Sequence, residues 1–372
     1  MPGAAGVDLS TVIVLARDEE RCIARCLDSV CGRGFDDILV VDTGSTDATP
    51  GIVDGYRTRG VRMLRHPWSN SFAAARNAAV DCVATGWIVF LDADEWLTGG
   101  SVPARLAELS RFDDVSRLVF APRIADRNGY SGDVGRIFRA DSAIRYKGAV
   151  HEYPVIAGEP DEPVGIVGVD IRFDHDGYER SVVVGKDKRR RNLDLLDIAR
   201  ARDPDNPRWW YFTIRDGLPV LGHAQLVRSC TVLKRLADTP VATGDGRSGR
   251  EYYRLALGQA CQAFAAFGDW TSVHRYRADL PDADAHYFGA IAALARDVVT
   301  PHDLVGAIEL RGRDELVADS VLDPAGRHLD ALIVALLDRV RGEADAERYR
   351  DMCDPWTDTF FDGSRLRRRQ PL

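Results

Sequence analysis

Short apolar segments alternate with helical patterns through the first hundred residues, and this alternation limits the possible folds more than any other feature. Runs rich in β-branched residues at 11–16, 38–41, 61–64 and 87–91 predict four strands. The stretches between them have the periodicity of helices, with caps such as Ser69, Asn70 or Ser71 before the third. Repeated strand–helix units predict a doubly wound α/β sheet that is parallel at its centre.

The second half of the chain has a different pattern. From about residue 179 the strand signal ends, and helices are predicted at 179–202, 207–216, 222–237, 251–267, 270–278, 284–296 and 325–341. The pair Tyr252-Tyr253 recurs as His286-Tyr287 after 34 residues, a spacing typical of a tetratricopeptide-like array. The sequence therefore predicts two domains, an α/β domain at 1–178 and a helical domain at 179–372.

Composition excludes some classes of function. The 372-residue chain has a formal net charge of -8, which argues against nucleic acid as a partner. It contains no run of about 18 apolar residues, so we expect no transmembrane segment. The first ten residues lack the features of a secretory signal, and seven cysteines are an odd number for a disulfide framework. We therefore expect a cytoplasmic protein with buried free thiols.

Asp92-Ala93-Asp94 is the strongest local motif. It follows the apolar strand that ends at Leu91, so its carboxylates lie at the strand end, where ligands bind in such sheets. Paired carboxylate oxygens suit Mg²⁺ or Mn²⁺, with diphosphate oxygens and water as the other ligands. The alternative is a polar turn without a function.

A second polar loop, 42–47, follows the second predicted strand. The Asp42 carboxylate is placed to accept the imide proton of a uracil, and Gly44 permits close approach of a base or ribose. The alternative is a plain helix-capping loop in which Thr46 or Asp47 is the cap.

Four blocks in this order resemble the donor-site motifs of family-2 glycosyltransferases, which have the GT-A fold: VIVLARDEE, VVDTGSTDAT, FAAARN and WIVFLDADE, at 12–20, 40–49, 72–77 and 87–95. Later blocks at 135–139, 148–152 and 175–178 resemble the branch with a C-terminal tetratricopeptide-like region. That branch includes bacterial peptide S-glycosyltransferases that act on bacteriocin precursors.

The resemblance implies a role for individual residues. A UDP-sugar would be the donor, and Mn²⁺ or Mg²⁺ the cofactor. The residues implied are Ala16, Arg17, Glu19, Asp42 and Gly44 for the uridine, Arg76 near the diphosphate, Asp92 with Ala93 for the ribose, and Asp94 with Asp92 for the metal. Arg17-Asp18 departs from the family, which often has lysine or threonine and asparagine there.

Two later residues complete the predicted site. An inverting transfer needs one base, and Glu152 is the candidate because of its place in His151-Glu152; the alternative is a surface glutamate. If Glu152 were excluded, Asp133 or Asp141 would be next. His175 is a candidate third metal ligand, with His151 competing for that role and a structural histidine as the alternative.

The predicted function is an inverting transfer from a UDP-sugar to an acceptor, and a helical array favours a peptide side chain (Cys or Ser/Thr). A cell-envelope glycan or a natural product is the alternative acceptor. A non-catalytic interaction scaffold on a degenerate sugar-nucleotide domain is the alternative from another class.

A nucleotidyltransferase is disfavoured, because the loop 16–20 is acidic and lacks glycine. The helical half is also a candidate surface for a homodimer, and the basic run 189–191 is interpreted as a solvated or interdomain helix face.

Overall fold

A computed structural model describes residues 9–126, 129–131, 134–159, 162–175, 185–218, 220–238 and 246–353. The contacts divide the chain into two compact units. The first unit extends to Asn206 and includes a short later segment that ends at Ser248. The second unit begins at Pro207 and resumes at Gly249.

The first unit is built on a mixed sheet. Its described strands are β1 (Ser10–Ala16), β2 (Asp37–Asp42), β3 (Val61–Arg65), β4 (Trp87–Asp92), β5 (Glu95–Gly99), β6 (Leu118–Asp126), β7 (Gly129–Ser131), β8 (Ile137–Arg139), β9 (Ile144–Lys147), β10 (Tyr153–Ile156) and β11 (Gly165–His175). Its described α-helices are α1 (Ile23–Val30), α2 (Thr49–Asp54), α3 (Phe72–Val80), α4 (Val102–Leu109) and α5 (Gly185–Arg202).

Strand order in the large sheet is β3-β2-β1-β4-β8-β6-β11-β5, with β7 paired to β6. The first four strands are parallel, whereas β8 is antiparallel to both of its neighbours. β9 and β10 form a separate antiparallel pair. The predicted α/β class is confirmed, and the mixed sheet with a parallel half is the GT-A arrangement.

The core lies on both faces of the parallel half of the sheet. On β1, Val12 and Val14 belong to the cluster that contains residues of α1 and α4, and Ile13 belongs to the cluster with α3. All five residues from Trp87 to Leu91 on β4 are at most 1% exposed. A central parallel strand covered on both faces must be apolar throughout, which is why these segments could be recognised in the sequence.

The second unit is helical throughout its described part. Its helices are α6 (Pro207–Gly217), α7 (His223–Ala237), α8 (Gly249–Phe267), α9 (Trp270–Arg277), α10 (Asp282–Arg296), α11 (Pro301–Arg311), α12 (Asp314–Ala318), α13 (Arg327–Val340) and α14 (Glu343–Met352). The predicted helical region is confirmed, although α11, α12 and α14 were not predicted. No helix in the described ranges is long and apolar enough to cross a membrane.

The predicted domain boundary between 178 and 179 lies outside the described residues and stays a prediction. The helix predicted at 179–202 is described from Gly185 and belongs to the first unit.

Candidate functional site

Three strand ends place the predicted donor residues at one edge of the sheet. In the register, Ala16 of β1 lies opposite Asp42 of β2, and Leu15 lies opposite Asp92 of β4. Asp42 and Asp92 therefore flank the end of β1, two strand spacings or about 10 Å apart. This is the edge where ligands bind in open α/β sheets.

The loop after β1 is fastened to the loop after β2. Asp18, at φ 54°, donates its N–H to Ser45 Oγ at 2.9 Å, and its Oδ1 accepts the N–H of Thr46 at 2.7 Å. Glu19 N–H donates to Thr49 Oγ1 at 2.8 Å. The Asp18 residue, a departure from the family pattern, thus holds the two loops together.

The loop after β2 leaves space beside Asp42. The Asp42 side chain is nearly buried and accepts the N–H of Ser45 at Oδ1, at 3.1 Å. Gly44 adopts φ 104°, and no atom lies within 4 Å of the Cβ that another residue would place there. A left-handed residue with open space allows the close approach that a nucleoside needs.

Two arginines surround the carboxylate of Asp92. Arg136 donates to both of its oxygens, at 2.9 Å and 2.6 Å, and Arg76 donates to Oδ1 at 3.0 Å. Arg136 also reaches Glu95 Oε1 at 3.3 Å, and Arg76 Nε donates to Glu152 Oε1 at 2.7 Å. A single network therefore joins Asp92, Arg76 and the candidate base Glu152.

The charges in this network determine its protonation. Partial burial alone would raise the pKa of Asp92, but Arg136 and Arg76 outweigh that effect and hold the pKa well below its ordinary value. Burial raises the pKa of Glu95, although Arg136 opposes the rise. Burial lowers the pKa of Arg136, but Asp92 and Glu95 raise it well above the usual value. Asp92 is therefore ionised and both arginines are already paired with carboxylates.

Helix α3 positions both Arg76 and Glu152. Ser71 caps the helix by accepting the N–H of Ala74 at 3.1 Å. The N–H of Phe72 donates to the carbonyl of Ala149 at 2.9 Å, which fixes the loop that leads to Glu152. One turn further on, the Asn77 side chain bonds the backbone of β9. The FAAARN block thus orients the arginine and also anchors the 148–152 loop.

Asp94 and His175 form the pair that fits a divalent metal. Nε2 of His175 lies 3.1 Å from Asp94 Oδ2, and both side chains are partly exposed. The hydrogen bond with Asp94 raises the pKa of His175. One carboxylate and one imidazole suit Mn²⁺. Among the described residues, no group of three or more His, Cys, Asp or Glu side chains is placed to hold a metal ion. Such a pair leaves positions for diphosphate oxygens and water.

Glu19 lies beside this pair. Its Oε2 accepts a hydrogen bond from the thiol of Cys22 at 3.0 Å. Burial raises the pKa of Glu19, the Cys22 bond lowers it, and Asp94 raises it further. The charge of Asp94 therefore acts on Glu19 in the loop after β1.

The structure brings most of the predicted site residues into one area, and their roles remain predictions. Asp92, whose oxygens accept from guanidinium groups, fits the metal role less well than Asp94. His151, the competing histidine, precedes Glu152 with φ 51°. Asp141 pairs with Arg139, whereas Asp133 and residues 176–178 lie outside the described residues.

Sequence reasoning assigned no role to Arg136 and Glu95. Arg136 is 7% exposed and directly precedes β8, between Gly135 and an apolar pair. An arginine within such a segment signals a buried charge that needs a carboxylate partner. The sequence could have supplied this signal, but not the identity of the partner.

The fold is of the GT-A type, with polar residues gathered at the carboxyl ends of its parallel strands. Residues 11–150 match the family model described as Glycosyl transferase family 2. This match includes the strands and the helix that carry Asp42, Arg76 and Asp92.

Relatives resemble different parts of the chain. The SPbeta prophage-derived glycosyltransferase SunS of Bacillus subtilis is 30% identical over 207 residues, which cover 55% of this chain and 48% of SunS. The chain thus spans about half the length of this curated relative. A TPR repeat-containing protein of Synechococcus elongatus is 27% identical over 309 residues, covering 74% of this chain and 72% of that protein. The crystal structure of S. aureus TarS 1-349 is 14% identical with a TM-score of 0.37, covering 82% of this chain and 92% of that one.

Proposed function

We propose that the protein is an inverting glycosyltransferase that transfers a sugar from a UDP-sugar to an acceptor. The observation that carries the proposal is the convergence at one sheet edge of Asp42, the fastened donor loops and the Asp92 network. The family-2 match at 11–150 covers these elements except Glu152.

In this proposal each part of the donor has its own contacts. Asp42 accepts the imide proton of the uracil, and the open space at Gly44 receives the nucleoside. Asp92 is held rigid by Arg136 and Arg76 and accepts hydrogen bonds from the ribose. A carboxylate fixed by charge-assisted hydrogen bonds is preorganised, so little ordering free energy is lost on binding.

Glu152 takes the proton from the acceptor as the acceptor attacks the anomeric carbon on the side opposite the leaving diphosphate. Arg76 fixes Oε1 of Glu152, which leaves Oε2 to receive the proton.

Asp94 and His175 would hold Mn²⁺ or Mg²⁺, which neutralises charge on the departing diphosphate when bound. Metal dependence belongs to this proposal. It rests on the chemistry of these two side chains and their mutual distance.

A peptide is the proposed acceptor. The support is the helical second unit, the similarity to SunS and the similarity to a TPR repeat-containing protein. Helical arrays of this type present long surfaces to extended chains.

We also propose a cytoplasmic location, supported by the free state of all seven cysteines. The helical unit remains the proposed surface for a homodimer, which light scattering would test.

A thermal-shift series tests donor and metal together. The full-length protein is heated with UDP or GDP, each with Mn²⁺ or with EDTA, because a ligand that binds only the folded state raises the melting temperature. We expect UDP with Mn²⁺ to give the largest rise, and Asp94→Ala to lose the metal increment while keeping the unliganded melting temperature. Transfer that is unchanged in EDTA would contradict the metal assignment. UDP binding without transfer or donor hydrolysis would favour the scaffold.

A further inference from the structure

Two arginines from distant parts of the chain flank an aromatic pair beside the candidate site. The rings of Trp68 and Phe72 lie edge to face with centroids 4.9 Å apart. Arg17 Cζ lies 5.9 Å from the centroid of Trp68, and Arg191 Cζ lies 5.2 Å from the centroid of Phe72. Arg17 follows β1 and Arg191 belongs to α5, so this arginine–aromatic cluster joins the donor loop to a helix beyond the family domain.

The surroundings of Arg191 place it near both the donor loop and the candidate base. Partial burial lowers the pKa of Arg191, and nearby Arg17 lowers it further, whereas Glu152 and Glu19 raise it. Two guanidinium groups near each other repel, and an anion between them removes that cost. The cluster is therefore poised for a negatively charged ligand.

Both guanidinium groups keep hydrogen-bonding capacity. Arg17 Nε lies 3.9 Å from Asp18 Oδ2, which is longer than a hydrogen bond, and Asp18 Oδ1 is bonded to Thr46. Arg191 donates to Asn192, its neighbour in the same helix, at 3.1 Å. Each guanidinium has five N–H donors in a planar fork that matches phosphate oxygens.

The other arginines of the site already have carboxylate partners. Arg76 is paired with Asp92 and Glu152, and Arg136 is paired with Asp92 and Glu95. Three carboxylates thus offset two guanidinium groups in the network. A diphosphate at this acidic edge needs additional positive charge, and the exposed side chains of Arg17 and Arg191 can supply it.

We propose that Arg191, together with Arg17, binds the diphosphate of the nucleotide donor, so that α5 completes the donor site. This inference rests on the proposed function, because it takes the donor to be a uridine diphosphate sugar. It also assigns a specific role to one residue of the basic run 189–191, whose pattern alone predicted a solvated or interdomain face.

Titration calorimetry of the full-length protein with UDP and UMP tests the assignment. The variants are Arg191→Ala, Arg191→Lys and Arg190→Ala; Arg190 is an exposed neighbour of the same charge and serves as the matched control. We expect Arg191→Ala to weaken UDP binding about tenfold or more, the order expected for a lost charge-assisted hydrogen bond. UMP binding should change much less, so the preference for UDP over UMP should fall.

The variants separate a specific contact from general electrostatics. Arg191→Lys should recover part of the UDP affinity, because lysine keeps the charge and loses the planar fork. The titrations are repeated at several salt concentrations. At each of them, Arg190→Ala should bind UDP as tightly as the parent protein does. Full UDP affinity in Arg191→Ala, or an equal loss in Arg190→Ala, would overturn the inference and leave the proposed function standing. A parent protein that binds neither UDP nor UMP would overturn the proposed donor and this inference with it.

Discussion

Arg136 carries the charge on which the network under the site depends. It is 7% exposed and donates to Asp92 and Glu95. Arg136→Met keeps the bulk and removes the charge, which leaves two carboxylates short of a partner. We expect the free energy of unfolding to fall by about 3 to 5 kcal/mol, as is typical when one member of a buried ion pair is removed.

Urea unfolding measures this loss, with Arg62→Met as the control. Arg62 pairs with Asp37 at 2.7 Å on the surface, and its side chain is 46% exposed. An exposed pair contributes about 0 to 1 kcal/mol, so the control should unfold almost like the parent. Equal losses in both variants would mean that Arg136 has no special role in stability.

Glu152→Gln tests the proposed base. Glutamine keeps the shape and can still accept from Arg76 Nε, but it has no basicity. We expect turnover to fall by about 10²- to 10⁴-fold while UDP binding survives. Glu159→Gln, which removes an exposed carboxylate paired with Arg117, is the control.

The pH dependence of the Glu152→Gln variant also reports on the acceptor atom. A cysteine acceptor ionises near about pH 8.5, so the loss should shrink as pH rises, whereas a hydroxyl acceptor gives no such recovery. Turnover should be measured from about pH 6.5 to 9. Full activity at the low end would exclude Glu152 from the mechanism.

At the residue scale, the sequence predicted the residues of the candidate site but not the partners of their side chains. Asp92, Asp42 and Arg76 were found because they follow or flank apolar strands in a recognisable order. The partners of those residues depend on packing across the sheet. Arg136 meets Asp92 because β8 runs antiparallel beside β4, and no local pattern in the sequence shows that neighbour.

At the element scale, the four parallel strands β1 to β4 were predictable, whereas the short strands β5 and β8 were not. β1 and β4 are apolar on both faces, so their composition alone identifies them. β8 has only three residues, and β5 starts three residues after β4 ends, so neither gives a periodic signal. Helices α11, α12 and α14 were missed because their buried residues are few.

Helices α10 and α13 give the second unit a predicted pH dependence. His328 of α13 is fully buried, 3.4 Å from the carboxylate of Asp284 on α10. Burial lowers the pKa of His328 to about 4, although Asp323 and Asp330 raise it and Arg311 lowers it further. A folded pKa below the unfolded value of about 6.5 means that stability is complete above pH 6.5 and is lost as pH falls toward 4.

Comparison with His328→Gln isolates this effect. The difference between the unfolded and folded pKa values of His328 corresponds to about 3 kcal/mol at most. Between pH 7 and 4, the free energy of unfolding of the parent should therefore fall by about that much more than the free energy of unfolding of the variant. Burial raises the pKa of Asp284, which acts in the opposite direction in both proteins and largely cancels. Urea unfolding at several pH values gives the two curves. Parallel curves would show that His328 does not titrate with unfolding.

At the scale of the whole molecule, the two units differ in how much of the proposed chemistry they contain. All the proposed donor, metal and base residues lie before Asn206, and so does Arg191 on α5. The sequence predicted a boundary at 178, where strand patterns give way to helical ones, because a local pattern records secondary structure. It does not record with which unit a helix packs.

Two truncations distinguish these boundaries. A fragment that ends at 206 retains α5, and a fragment that ends at 178 removes it together with Arg191. We expect the longer fragment to bind UDP with an affinity close to that of the full chain, and the shorter one to bind about tenfold more weakly or worse, because a charge-assisted contact is lost. Both fragments should lose transfer to a peptide acceptor, since the proposed acceptor surface is in the helical unit.

Circular dichroism and solubility must first show that each fragment is folded. Equal UDP affinity in the two folded fragments would place the functional boundary at 178, whereas peptide transfer by the longer fragment would remove the helical unit from acceptor recognition.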